Sequence, residues 1–266
     1  METLLIHASP ELIKSWRKKT VKEKKMNYFI AALLIGFLIL LHELGHFIAA
    51  RCVNIPVSRF SIGFGPKLWG FKRGNTEYRL SLFPFGGYVL PEIEDLDQFY
   101  QIPFCQRVIY LIGGPVTNII LPLFLFGILN MTLYGFSLAG VFIKPFFQTL
   151  GLLYDFICAL PLLFFRPDQL SGIIGIVAQG GQLVGNSILD ALRFSILLSL
   201  NLAILNLLPI PPLDGGKIIL YLLEKAHPKM QRIHFPLAIA GGIFILCLMV
   251  YATILDFGKY FTGLLI

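Results

Sequence analysis

Residues 28–50 read YFIAALLIGFLILLHELGHFIAA. At 1.5 Å rise per residue this run is long enough to cross about 30 Å of hydrocarbon as a helix. Three groups that such a helix would normally exclude stand inside it: His42, Glu43 and His46. A charged residue at the centre of a membrane helix costs roughly 2.5–3.5 kcal/mol, so something must offset them. The spacing supplies the reason. Positions i and i+4 share one helix face, so both imidazoles can reach one metal ion. Glu43 stands one residue round from His42, where it can take a proton from metal-bound water. Two histidines leave room for a third protein ligand and an open position, the arrangement of a catalytic zinc site. Gly45 lets a neighbouring element pack closely.

The rest of the chain agrees with a membrane setting. Of 266 residues, 56% are hydrophobic and 14% charged, against roughly 45–50% and about 25% in soluble domains. This excludes a cytosolic enzyme or a disordered chain. The net charge of +7 comes with no zinc-finger, basic-zipper or aromatic-interleaved basic surface, so no nucleic-acid partner is expected. Cys52, Cys105, Cys158 and Cys247 are isolated; they read as four membrane-buried thiols, with neither a disulfide framework nor a zinc ribbon.

The expected fold is an all-α polytopic membrane protein of about four transmembrane helices, at about 28–50, 108–134, 188–208 and 235–255. Residues 1–26 form a basic leader, possible as an interfacial helix, and 27–266 the membrane domain. The leader and the run after it mimic a signal peptide, a reading set aside because cleavage would remove the histidines. Residues 142–165 are apolar but broken by Lys144, Pro145, Asp155 and Pro161, and are expected to form an amphipathic interfacial helix. Residues 55–90 alternate polar and apolar side chains, notably from Thr76 to Phe83, which predicts a small β-hairpin or sheet between the first two spans. Basic residues crowd the connections after the first and third spans, placing both, with the site, toward the cytoplasm. The same rule conflicts with a basic leader on the opposite side.

A third ligand is offered by Asp214 in Asn206-Leu207-Leu208-Pro209-Ile210-Pro211-Pro212-Leu213-Asp214-Gly215-Gly216. Three prolines break the preceding helix within or near the membrane, and a new helix starts at the aspartate. An N-terminal cap would explain Asp214 without any metal. Both readings stand on the residues alone.

Together these segments resemble the site-2 protease family of intramembrane zinc metalloproteases. Its hallmarks are HExxH in one span and NxxPxPxxDG in a later one, present here as His42–His46 and as Asn206, Pro209, Pro211, Asp214 and Gly215. Weaker echoes are Phe85-Gly86-Gly87-Tyr88, Gly114-Pro115 with Asn118, and Ser171-Gly172-Ile173-Ile174-Gly175-Ile176, where Ile173 replaces the usual proline. The resemblance implies one zinc ion per chain on His42, His46 and Asp214, Glu43 as general base, and Asn206 holding the substrate backbone. It also implies a single-span membrane protein as substrate and a bacterial cell membrane as location. Only residues 135–170 separate the second and third spans, too few for the PDZ domain of many relatives; substrate choice is then expected to rest on an adaptor, on prior trimming or on how readily the substrate helix unwinds. A strand edge at Arg79, Leu80, Ser81, Leu82 and Phe83 is expected to hold the unwound substrate by strand addition. Two other classes stay open: a transporter using the same residues as a metal or proton relay, and a scaffold in which zinc only stabilises.

Overall fold

The computed structural model describes residues 10–92, 101–161, 165, 171–184, 187–227 and 230–261. Seven α-helices and one small sheet are present among them. In chain order they are α1 (Pro10–Cys52), β1 (Val57–Arg73), β2 (Thr76–Pro91), α2 (Phe104–Tyr134), α3 (Lys144–Ala159, entered through a π-turn at Ala139–Ile143), α4 (Ile173–Val184), α5 (Ile188–Asn206), α6 (Asp214–Ala226) and α7 (Gln231–Phe261). Five segments are long and apolar enough to cross a membrane: Met26–Cys52, Phe104–Tyr134, Ala139–Ala159, Ile188–Asn206 and Arg232–Lys259. The chain is a multi-pass membrane protein.

The leader from Pro10 onward continues without interruption into the first span. Residues 1–9, and the side chains of residues 10–25 of the leader, lie outside the described residues. α1 ends where Asn54 adopts φ 57 and Ile55 N–H returns to Ala50 O at 2.9 Å, a left-handed C-terminal closure that turns the chain into β1.

The segment 142–165 differs from its expected interfacial placement. Its helix, α3, lies along α2 and α5: Leu152, Leu153 and Phe156 pack on the buried cluster of Leu129, Ile196 and Leu200. Asn130 of α2 ties the two together, donating to Gly140 O and to Gln148 Oε1, each at 2.9 Å. Lys144 and Pro145 fall at the helix start, where a missing N–H costs little, so they do not break the apolar run.

Helix directions follow from the contacts. His46 meets Tyr110 and His42 meets Asn118, so α2 runs antiparallel to α1. Ala31 of α1 packs with Phe194 of α5, and beyond the end of α5 Asp214 reaches His42 and His46, so α5 runs parallel to α1 and antiparallel to α2. α3 descends along α2, and α4 returns beside α1, where Gly180 packs against Ala31 and Phe194 and Gly181 against Tyr28.

The sheet covers the end of α1. Ala50, Ile55, Val57, Phe60 and Val89 form its buried core, with Phe47 and Tyr78 against them. β1 is folded at Gly63 and Gly65, both with positive φ, so its two halves have different neighbours. Val57–Ile62 pairs with Gly87–Pro91, and Lys67–Arg73 pairs with Thr76–Ser81. Arg59–Ile62 is partnered in addition by Glu77–Leu80. Arg59, Lys67 and Arg79 all reach the Glu77 carboxylate; hydrogen bonds from Lys67 and Arg59 hold it well below the usual range, at about 2. The four cysteines are unpaired and lie on the protein's outer surface.

Candidate metal centre

α1 and α2 cross at glycines. A Cβ on Gly45 would collide with Gly113 O and Thr117 Oγ1, and one on Gly113 with Ala49 and Gly45 O. Backbones that touch in this way bring α2 directly over the histidines: a Cβ on Gly114 would stand 2.7 Å from His42 Nε2. The close approach expected of Gly45 is thus made, and its partner is a glycine pair on α2.

Asp214 arrives from the other side. Beyond α5 the prolines carry the chain through a short turn with a cis Pro211–Pro212 bond, and α6 starts at Asp214 itself. Gly215 and Gly216 lie against the backbones of Leu207 and Ile210, where no side chain would fit. Leu213, not Asp214, is the N-cap residue, and no side-chain cap bond is made. The carboxylate points instead at the histidines. The cap reading of Asp214 is therefore not met, and with His42 and His46 it forms a group that could hold a metal ion.

His42 Nε2, His46 Nε2 and Asp214 Oδ2 form a nearly equilateral triangle. The edges are 3.1 Å between the histidines, 3.3 Å from His42 to Asp214 and 3.2 Å from His46 to Asp214. All three residues are buried, at 5%, 6% and 6% exposure. A tetrahedral zinc site with ligand bonds of about 2.0–2.2 Å has ligand–ligand edges of about 3.3–3.6 Å. Three lone-pair atoms at this spacing need a cation or shared protons between them. His46 Nδ1 is 2.9 Å from Tyr110 O, and a carbonyl can only accept, so Nδ1 carries a proton and in the neutral ring Nε2 offers its lone pair. The donor set and its spacing fit zinc.

Glu43 is half-buried beside the triangle. Its Cγ would stand 3.1 Å from a Cβ on Gly87. The stretch Gly86-Gly87 therefore matters because β2 passes against the glutamate. Lys217, one turn along α6, has its Nζ 3.6 Å from Asp214 Oδ1.

The sequence profile of Peptidase family M50 matches residues 29–251, most of the chain. The protein belongs to peptidase family M50. Among its relatives, a protein of Chlamydia trachomatis provisionally named a zinc metalloprotease is 43% identical over 122 residues, covering 38% of this chain and 19% of its own. One of Helicobacter pylori, named in the same way, is 56% identical over 62 residues, 23% of this chain and 18% of its own. One of Campylobacter jejuni is 27% identical over an alignment of 350 positions that spans 90% of this chain and 95% of the relative. The chain thus spans about a fifth of the Chlamydia relative that it matches. The Campylobacter alignment is longer than the 266 residues available, so that relative has stretches with no counterpart here.

The other expected site residues are placed differently. Asn206 ends α5, half-buried, with Nδ2 donating to Leu202 O of its own helix at 3.0 Å. Arg79 is partnered by both Ser61 and Gly70, and Leu80 by both Ile62 and Trp69. That part of the strand has no free edge, which corrects the expectation of strand addition there; Ser81 pairs with Lys67 and Phe83 with Phe64, while Leu82 is exposed. The edge strand beside Glu43 is Gly87–Pro91, paired only with β1 among the described residues. Folding of β1 at its glycines produced the difference, since it gave the expected edge a second neighbour. Gly114 and Asn118 stood in the sequence only as family echoes without a role, and the service of α2 to the histidines and Asp214 through them, Tyr110 and Gly113 was not foreseen. An asparagine and two glycines in an otherwise apolar run were the available signal.

Proposed function

We propose that this protein is a zinc-dependent intramembrane endopeptidase that cuts a peptide bond within or near the transmembrane segment of a single-span membrane protein. The observation that carries the reading is the triangle of two imidazoles and a carboxylate, buried between apolar helices with a non-ligand glutamate beside it. A zinc ion held by His42, His46 and Asp214, one per chain, would polarise the scissile carbonyl and lower the pKa of water to about 7. Glu43 takes the proton of the attacking water and returns it to the leaving amine, the work of a general base and then acid. α2 excludes bulk water from the ligands through its contact at Gly113 and Gly114.

A helical substrate hides its scissile bond in backbone hydrogen bonds, and each group freed in lipid costs several kcal/mol unless it is re-paired. The edge strand Gly87–Pro91, where Val89 O already accepts from Tyr110, would offer its remaining backbone groups as replacement partners next to Glu43. Asn206, at the end of the helix preceding the proline turn, would anchor the opposite side of the substrate backbone. On this reading the site opens toward the cytoplasmic side of a bacterial cell membrane, and an adaptor contributes to substrate choice.

Purified wild type and Glu43→Gln would be compared for bound zinc and for cleavage of a panel of single-span substrates. The expected result is equal zinc with cleavage reduced at least 100-fold in the variant. Equal cleavage by both overturns the mechanism. Cleavage of no substrate by a zinc-loaded wild type would favour transport or scaffolding.

A further inference from the structure

The two histidines are held in unequal ways. His46 has its tautomer set by a backbone carbonyl. For His42 the group at Nδ1 is the side-chain amide of Asn118, 3.1 Å away through Nδ2. Asn118 is fully buried and its Oδ1 has no hydrogen-bond partner. The two terminal atoms of an amide exchange places on a half-turn that moves nothing else. The orientation decides the chemistry of the ring. With nitrogen toward His42, Nδ1 must be the acceptor, the proton moves to Nε2, and the lone pair needed for a metal is lost. With oxygen toward His42, Nδ1–H donates and Nε2 is bare, matching His46.

We infer that Asn118 is a positioning residue of the metal centre: its amide oxygen accepts the His42 Nδ1 proton and so fixes the ring, with Nε2 bare toward the zinc. Its place is secured from two sides. Pro122 lacks the N–H that would normally bond the carbonyl four residues back, which frees Asn118 O. Ser199 Oγ of α5 donates to that carbonyl at 2.8 Å. The proline, the serine and the asparagine together join α5, α2 and the first ligand of α1. The inference rests on the zinc reading above and extends it to a residue that touches neither metal nor substrate.

Zinc affinity of the purified full chain, measured in detergent against a competing chelator, tests it. Loss of a partner to a ligating histidine typically costs 10–100-fold in metal affinity. Asn118→Ala is expected to fall in that range. Asn118→Asp, which keeps the volume and offers only acceptors, is expected to stay within about threefold of wild type. A merely space-filling role predicts that Asn118→Leu binds as wild type does, and that result overturns the inference. An Asn118→Asp protein as weak as Asn118→Ala overturns it as well, because the amide would then be a donor. If the alanine variant does not fold, the aspartate and leucine variants still decide. A wild type that binds no zinc defeats the zinc reading itself; a zinc-binding wild type with an unaffected alanine variant defeats the inference alone.

Discussion

At the residue scale the ligands were legible because their geometry is local. The i, i+4 relation of His42 and His46 needs only a helix, whereas Asp214 also read as a helix cap and was singled out only by its pairing with the histidines. Asn118 was visible only as an echo of a family pattern, since its partner lies 76 positions away. The glycines of α2 were equally mute, because what a missing Cβ makes room for depends on the neighbouring helix. Gly114 gives a sharp test. A methyl group there would meet both ligand nitrogens, so Gly114→Ala should retain the helical circular-dichroism signal and bind less than a tenth of the wild-type zinc per chain. Gly45→Ala should instead act through the α1–α2 contact, lowering unfolding stability by about 1–3 kcal/mol, the usual cost of overpacking, as read by denaturant titration in micelles.

At the scale of elements, the helices were read from length and apolarity and the β region from alternation, but neither signal tells which strand lies at an edge. α3 was misplaced for a related reason: a lysine and a proline interrupt a pattern only when they fall inside the helix. The contact between α2 and α6 rests on a buried ion pair. Arg107 donates to both Glu224 oxygens, at 2.8 and 3.0 Å, and its guanidinium lies 4.7 Å from the Tyr221 ring centre. Removing one partner of a buried pair costs about 3–5 kcal/mol. Glu224→Ala should therefore lose stability of that order in micelle unfolding and, because α6 carries Asp214, weaken zinc binding as well. The sheet makes a prediction about pH. The Glu77 carboxyl titrates at about 2 in the folded chain against an ordinary 4.5. Its contribution is present above about 4.5 and is lost as pH falls from there through 2. Hydrogen exchange in β1 and the first half of β2, corrected for intrinsic rates, should accelerate between pH 5 and pH 3, and Glu77→Gln should flatten that response.

At the scale of the whole molecule, α1 and α5 run in the same direction with α2 between them, so the metal centre draws on both ends of the sequence. His42 and Asp214 are 172 positions apart. A ribosome adds about 5–20 residues per second, so roughly 10–30 s pass between synthesis of the first ligand and of the last. Throughout that interval α1 is already made while its third ligand does not yet exist. The nascent chain therefore cannot close the triangle, and the membrane insertion machinery handles a chain whose candidate metal site is still incomplete.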